Sequence, residues 1–251
     1  MQRAALLIAG EEYPDLDVSG YLRSLDDMAQ QVKTAVGDNE DLGELARSLN
    51  RYFFDEMGFS GNAEDYYNPR NSLLNRVIDT RVGIPITLSV VYLGVARRLG
   101  LRCHGVGMPG HFLVNIQDLD LYIDPFHSGQ LLSAGDCRRL AEQLFGQRVQ
   151  WDESFLAPTT TRQILERMLN NLRIIYFQLR DWVRLAPVIE RMLLIDPDNT
   201  GLYLVLARCQ MDQGEKSAAL ETLESLIGRS KNVREISAAR ELIERFENTN
   251  E

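Results

Sequence analysis

GIPITLSVVYLGVARRLGLRCHGVGMPGHFLVNIQDLDLYIDPF, residues 83–126, changes its hydrophobic period half-way, and that change decides the fold. From Ile86 to Ala96 the residues are apolar almost all the way round, which predicts a central helix buried on every side and not a surface helix with one greasy stripe. Gly83-Ile84-Pro85 opens it, because proline is tolerated in a first helical turn where its missing N–H would have no partner. Gly100 closes it as a C-cap. Short apolar segments follow at 101–108, 111–116 and 120–126, separated by Pro109-Gly110 and by Gln117 to Leu119. Such spacing predicts a small antiparallel meander packed on the central helix.

Upstream, residues 1 to about 80 read as helical. Val18, Tyr21, Leu22, Leu25, Met28, Ala29 and Val32 recur at three- and four-residue steps between Val18 and Val36, and Leu42, Leu45, Leu49, Tyr52 and Phe53 repeat the pattern. The polar stretch GFSGNAEDYYNPRNS interrupts it, and residues 71–81 predict a short helix. Downstream, 133–146 returns to helix. From about 160 the chain is helical throughout and repeats with an offset of 34 residues (215 − 181), the tetratricopeptide period. Under that offset Ile189 meets Leu223, Met192 meets Leu226 and Leu193 meets Ile227; two repeats are expected, with a third, partial one from about 163. The expected domains are residues 1–155 and 160–251.

With 251 residues and 25% charged residues, the chain is long enough for one large or two modest cores. Its net charge of −9 speaks against a nucleic-acid surface, which would need a basic face for phosphates. No run approaches the ~20 apolar residues that span a bilayer, so no membrane partner is expected. The apolar start of the chain is ended by Glu11 and Glu12 and reads as a first helix, not a signal peptide. Cys103, Cys137 and Cys209 are widely spaced and form no CxxC pair, which fits a reduced, cytoplasmic protein without disulfides.

Among the three histidines, His111 follows the Pro-Gly turn and opens a strand, and Asp124 ends the next strand 13 residues later (124 − 111). On adjacent antiparallel strands the two can face each other, and a carboxylate on an imidazole is the rear half of a nucleophile–His–Asp triad. A satisfied strand histidine and a turn-capping aspartate fit the same spacing. His104 and His127 raise the question of a metal. With no close ligand pair of the HExxH kind, and with His127 in a polar turn, neither a metal nor another cofactor is expected.

These residues resemble the core of the transglutaminase-like superfamily, papain-fold cysteine transferases and hydrolases, whose pattern is Gly-x-Cys at the head of a central helix, then a strand His and a strand Asp. NPRNSLLNRVIDTRVGIPITL, the PGHF turn and the trailing repeats are similar to its SirB-type branch, in which the domain is fused to tetratricopeptide repeats. The resemblance implies an α+β papain/transglutaminase-like domain with N-terminal helices and a small antiparallel sheet, followed by an all-α repeat region. It matches Gly83 to the family's glycine, His111 to its histidine, Asp124 to its aspartate and Pro85 to its cysteine, so the nucleophile is missing. The expected function is a non-catalytic binding or regulatory protein with a protein or peptide partner; the rival is a hydrolase or acyltransferase using His111 and Asp124. Cys103, Thr87 and Ser89 are poor substitutes for the thiol, being a strand residue and two helix-start hydroxyls. Asn68, Arg70, Asn71, Ser72 and Asn75 form a polar patch before the central helix. It is either a capped helix start or the rim of a peptide-holding groove.

Overall fold

The computed structural model describes residues 1–37, 41–146 and 150–248. They divide into two compact units, Met1–Met168 and Leu169–Glu251.

In the first unit, α1 (Gln2–Ala9), α2 (Val18–Val36) and α3 (Leu42–Asn50) precede a π-helical turn at Arg51–Glu56. The stripe expected from Leu25, Met28, Ala29 and Val32 is the buried face of α2, and Asp17 and Asp41 cap α2 and α3 by accepting backbone N–H bonds. β1 (Ser60–Gly61) pairs in parallel with β2 (Val82–Gly83), on either side of α4 (Leu74–Thr80). α5 (Pro85–Arg98) is the central helix. Every residue from Pro85 to Ala96 is buried, as the unbroken apolar run predicts. It packs against β3 (Cys103–Val106) and β4 (Leu113–Ile116), and against α1, α2 and α4. Leu99 is the C-cap in place of the expected Gly100, which follows it with φ 85°, a left-handed backbone that suits glycine.

The sheet has five strands, not the three of the simple meander. β5 (Leu121–Asp124) and β6 (Gln130–Leu132) continue from β4, and β7 (Pro158–Thr159) adds to the far side of β3, giving the antiparallel order β6-β5-β4-β3-β7. α6 (Ala134–Phe145) closes a core of Val106, Met108, Leu113, Tyr122, Leu132, Cys137 and Ala141.

α7 (Thr161–Leu179) runs across the division between the units. The second unit continues with α8 (Trp182–Ile195), α9 (Gly201–Asp212), α10 (Lys216–Arg229) and α11 (Val233–Glu247), each packed on the next. The 34-residue offset is visible in the backbone: Asp181 and Glu215 are the N-caps of α8 and α10. The residues just before them, Arg180 (φ 55°) and Gly214 (φ 79°), share the left-handed region. Ile189 and Leu223 are both fully buried, as equivalent positions should be. Ala207, Ala219, Leu223, Leu226, Ala239 and Phe246 form the core.

Candidate functional site

The turn that carries His111 is built by Pro109 and Gly110. Proline presets φ at the second position of a tight turn, and Gly110 takes φ 62° at the third, which brings the His111 N–H to the Met108 carbonyl at 3.3 Å. β4 starts only at Leu113, so His111 precedes the strand that it was expected to open. Val114 pairs with Ile123, which sets Leu113 level with Asp124 and puts His111 two residues beyond, on the same face. The side chains meet across that diagonal: His111 Nε2 lies 2.8 Å from Asp124 Oδ2. Both are buried, at 4% and 1% exposure.

Arg167, in the first turns of α7, fixes the turn from below. Its guanidinium donates to the carbonyls of Met108 (3.0 Å) and His111 (2.8 Å) and stacks 5.5 Å over the Phe112 ring. Burial pulls this group below its ordinary pKa. The sequence offered no signal for it, because its two acceptors are backbone carbonyls more than fifty residues away.

A second imidazole joins the pair. Asp124 ends β5 and caps the 3₁₀ turn Pro125–His127, its Oδ1 accepting the N–H groups of Phe126 (3.0 Å) and His127 (3.3 Å). Residues three apart eclipse one another in such a turn, and His127 Nδ1 reaches the same Oδ2 at 2.7 Å. The two imidazole rings stack at 5.6 Å, inclined by 25°. Burial alone would raise Asp124, but the hydrogen bonds and charge of His111 and then of His127 outweigh it, and the carboxyl sits below its usual range. Both bonds form with neutral imidazoles when His111 is protonated on Nε2 and His127 on Nδ1. The signal for His127 lay in Asp-Pro-Phe-His, an i, i+3 spacing around a proline-started turn. His111 Nε2, Asp124 Oδ2 and His127 Nδ1 all lie within 4.8 Å of one another, the spacing a metal ion would need, and His104 is not among them.

Gly61 backs this turn. A Cβ at Gly61 would lie 2.5 Å from both the ring and the carbonyl oxygen of Phe126. Gly61→Ala should therefore cost about 1–3 kcal/mol and displace His127 from Asp124, to be read from urea unfolding and from the histidine ring resonances. Unchanged stability and unchanged ring shifts would show that Phe126 is free to give way.

At the head of α5 Pro85 occupies the first helical position. Thr87 Oγ1 is committed there, donating to the Asn71 carbonyl (2.7 Å) and accepting from the Ile84 N–H (3.1 Å). Ser89, one turn beyond Pro85 on the same helix face, reaches the Phe112 carbonyl at 3.4 Å. Burial raises the Cys103 thiol, and pushes Cys137 up to about 12 and Cys209 up to about 12.

The polar patch divides. Asn68 caps its turn through the Arg70 N–H, and Asn71 Nδ2 holds the carbonyls of Asp65 and Tyr66 while its Oδ1 accepts from Asn62. Arg70 is exposed. Ser72 Oγ and Asn75 Oδ1 are buried without a hydrogen-bond partner among the described residues. Asn75 lines a cavity of about 500 Å³ with Tyr13, Tyr21 and Asp79, and His111 is not part of its lining.

A helix-backed antiparallel sheet with this His–Asp pair, followed by 34-residue helical repeats, has its counterpart among known families. The model of the transglutaminase-like superfamily matches residues 19–170 and that of the tetratricopeptide repeat residues 172–244, and the chain belongs to the transglutaminase-like superfamily, its domain joined to repeats. A UPF0162 protein of Xylella fastidiosa is 36% identical over 229 residues, covering 89% of this chain and 82% of its own length. A UPF0162 protein of Pseudomonas aeruginosa is 34% identical over 170 residues, covering 68% of this chain and 62% of its own. Human F-box only protein 21 is 33% identical over 199 residues, covering 70% of this chain but 30% of its own. No solved structure matches the chain significantly. Among the described residues no helix is long and apolar enough to cross a membrane.

Proposed function

We propose that this protein is a non-catalytic binding protein of regulatory type, in which a degenerate transglutaminase-like domain and its repeats hold a protein or peptide partner in the cytoplasm. The observation that carries the reading is the head of α5. Pro85 stands where the family resemblance expects the cysteine, and a proline offers no nucleophile. The two hydroxyls in the first turns of the helix, Thr87 and Ser89, are tied to backbone carbonyls, and a triad without its nucleophile loses almost all of its rate. Repeat helices of the second unit supply the kind of surface on which solenoids take up peptides. Of the polar patch, Asn68 and Arg70, which reach the surface, are assigned to the rim of the groove that receives such a segment, while Asn71, Ser72 and Asn75 are buried and fit a capped helix start.

The rival reading, a hydrolase or acyltransferase, draws on the intact His111–Asp124 hydrogen bond. Cysteine-directed probes separate the two. Cys103, Cys137 and Cys209 should react slowly and only at alkaline pH, because burial disfavours each thiolate. Fast, stoichiometric labelling of Cys103 at pH 6, lost in His111→Ala, would restore the enzyme.

A further inference from the structure

One carboxylate oxygen shared by two imidazoles is more than a triad remnant requires. A histidine needs a single acceptor to fix its tautomer, and His111 already has Asp124 Oδ2 at 2.8 Å. The second bond, from His127 Nδ1 at 2.7 Å, crowds the same atom. No Lys or Arg pairs with Asp124 among the described residues; the groups that meet its carboxylate are these two imidazoles. Arg167, a nearby cation, spends its donors on the carbonyls of Met108 and His111. The three donor atoms, His111 Nε2, Asp124 Oδ2 and His127 Nδ1, lie within 4.8 Å of one another, and His111 and Asp124 are buried at 4% and 1% exposure, where a convergent donor cluster is rarely left without a partner of its own.

We propose that His111, Asp124 and His127 form a binding site for a divalent first-row transition metal, with zinc as the best match. Two imidazole nitrogens and one carboxylate oxygen are the donor set that zinc and its neighbours take, whereas calcium and magnesium require oxygen ligands. Metal–ligand bonds of about 2.0–2.1 Å with tetrahedral angles place donors roughly 3.3 Å apart. The two nitrogen–oxygen separations must then widen by about half an ångström to admit the ion. His127 can supply that movement: its side chain is 51% exposed and it sits in a short turn, while His111 and Asp124 stay buried. Each imidazole keeps its single proton and moves it to the other ring nitrogen, His111 to Nδ1 and His127 to Nε2, so that neutral histidines ligate without net proton release. The bonds from the Phe126 and His127 N–H groups to Oδ1 hold the carboxylate in place, as the outer partners of metal ligands do. Three protein ligands leave a fourth position for water, approached from the exposed His127 side.

This site does not depend on what stands at Pro85, so it can fail while the binding-protein reading holds, and the reverse. The test uses the full chain stripped with a chelator and titrated with Co²⁺, then with Zn²⁺ as competitor. One equivalent of Co²⁺ should bind with the visible absorption of a nitrogen- and oxygen-ligated ion and no thiolate charge-transfer band, and Zn²⁺ should displace it. His127→Ala, a change at a half-exposed side chain, should keep its circular dichroism and bind at least ~10-fold more weakly. Asp124→Asn, which keeps the side chain's shape, should also lose binding, and His104→Ala should behave as the parent. The site is excluded if the parent shows no saturable binding, if His127→Ala binds as tightly as the parent, or if a thiolate band reveals a cysteine site instead.

Discussion

Asp124→Ala is expected to cost the first unit about 3–4 kcal/mol, which for a unit of this size lowers the melting temperature by roughly 10 °C. The carboxylate accepts four bonds: from His111 Nε2, from His127 Nδ1 and from the N–H groups of Phe126 and His127. Alanine leaves all four donors without their acceptor, and at this depth water replaces few of them. His111→Ala should cost less, because His127 still engages Oδ2 and both backbone bonds remain. Thermal unfolding of both variants in the presence of a chelator gives the comparison. Variants as stable as the parent that have lost partner binding or turnover would mean that the pair is kept for function alone, and that the structural account of it is wrong.

The second large effect is a gain. Pro85→Cys should create a thiol that alkylates at pH 6 about a hundred times faster than an ordinary exposed cysteine, through a thiolate pKa some two units below the ordinary ~8.5, and faster still than the buried cysteines of this chain. Three features favour that anion. The first turn of α5 presents unpaired N–H groups and the positive end of the helix dipole. Ser89, on the same face, touches the Phe112 carbonyl, next in the chain to His111. His111 Nδ1 makes no hydrogen bond with the described residues, so it is open to a partner at the helix head. Cysteine at the first helical position keeps the helical backbone and restores an N–H that the helix ladder itself does not use, so the helix should tolerate the change. Iodoacetamide kinetics on Pro85→Cys, alone and combined with His111→Ala, decide the outcome. A thiol no faster than Cys103, or one indifferent to His111, would remove Pro85 from the triad mapping.

What the sequence made legible follows from how strongly each segment is patterned. α2 could be read to its ends because its apolar positions keep helical spacing over 19 residues. α5 was legible for the opposite reason, an unbroken apolar run between Pro85 and the left-handed Gly100. β6 and β7 were not, since three and two residues are too few for an alternation to show. In the site, His111 and Asp124 stood out because they flank strand segments joined by recognisable turns. His127 and Arg167 did not. One depends on a 3₁₀ turn that eclipses residues three apart, the other on a helix returning to carbonyls far away in the chain.

Strand β7 and Arg167 also bear on how the transglutaminase-like domain can be handled in isolation. A fragment stopped at residue 155 would lack Pro158–Thr159 and leave Gly105 and Val106 of β3 as a bare sheet margin. Such margins recruit other chains, so the fragment should self-associate. It would also lack the guanidinium that holds the Met108 and His111 carbonyls, and the histidine turn would lose its brace. The first compact unit runs to Met168, so the first turns of α7 belong with the transglutaminase-like domain.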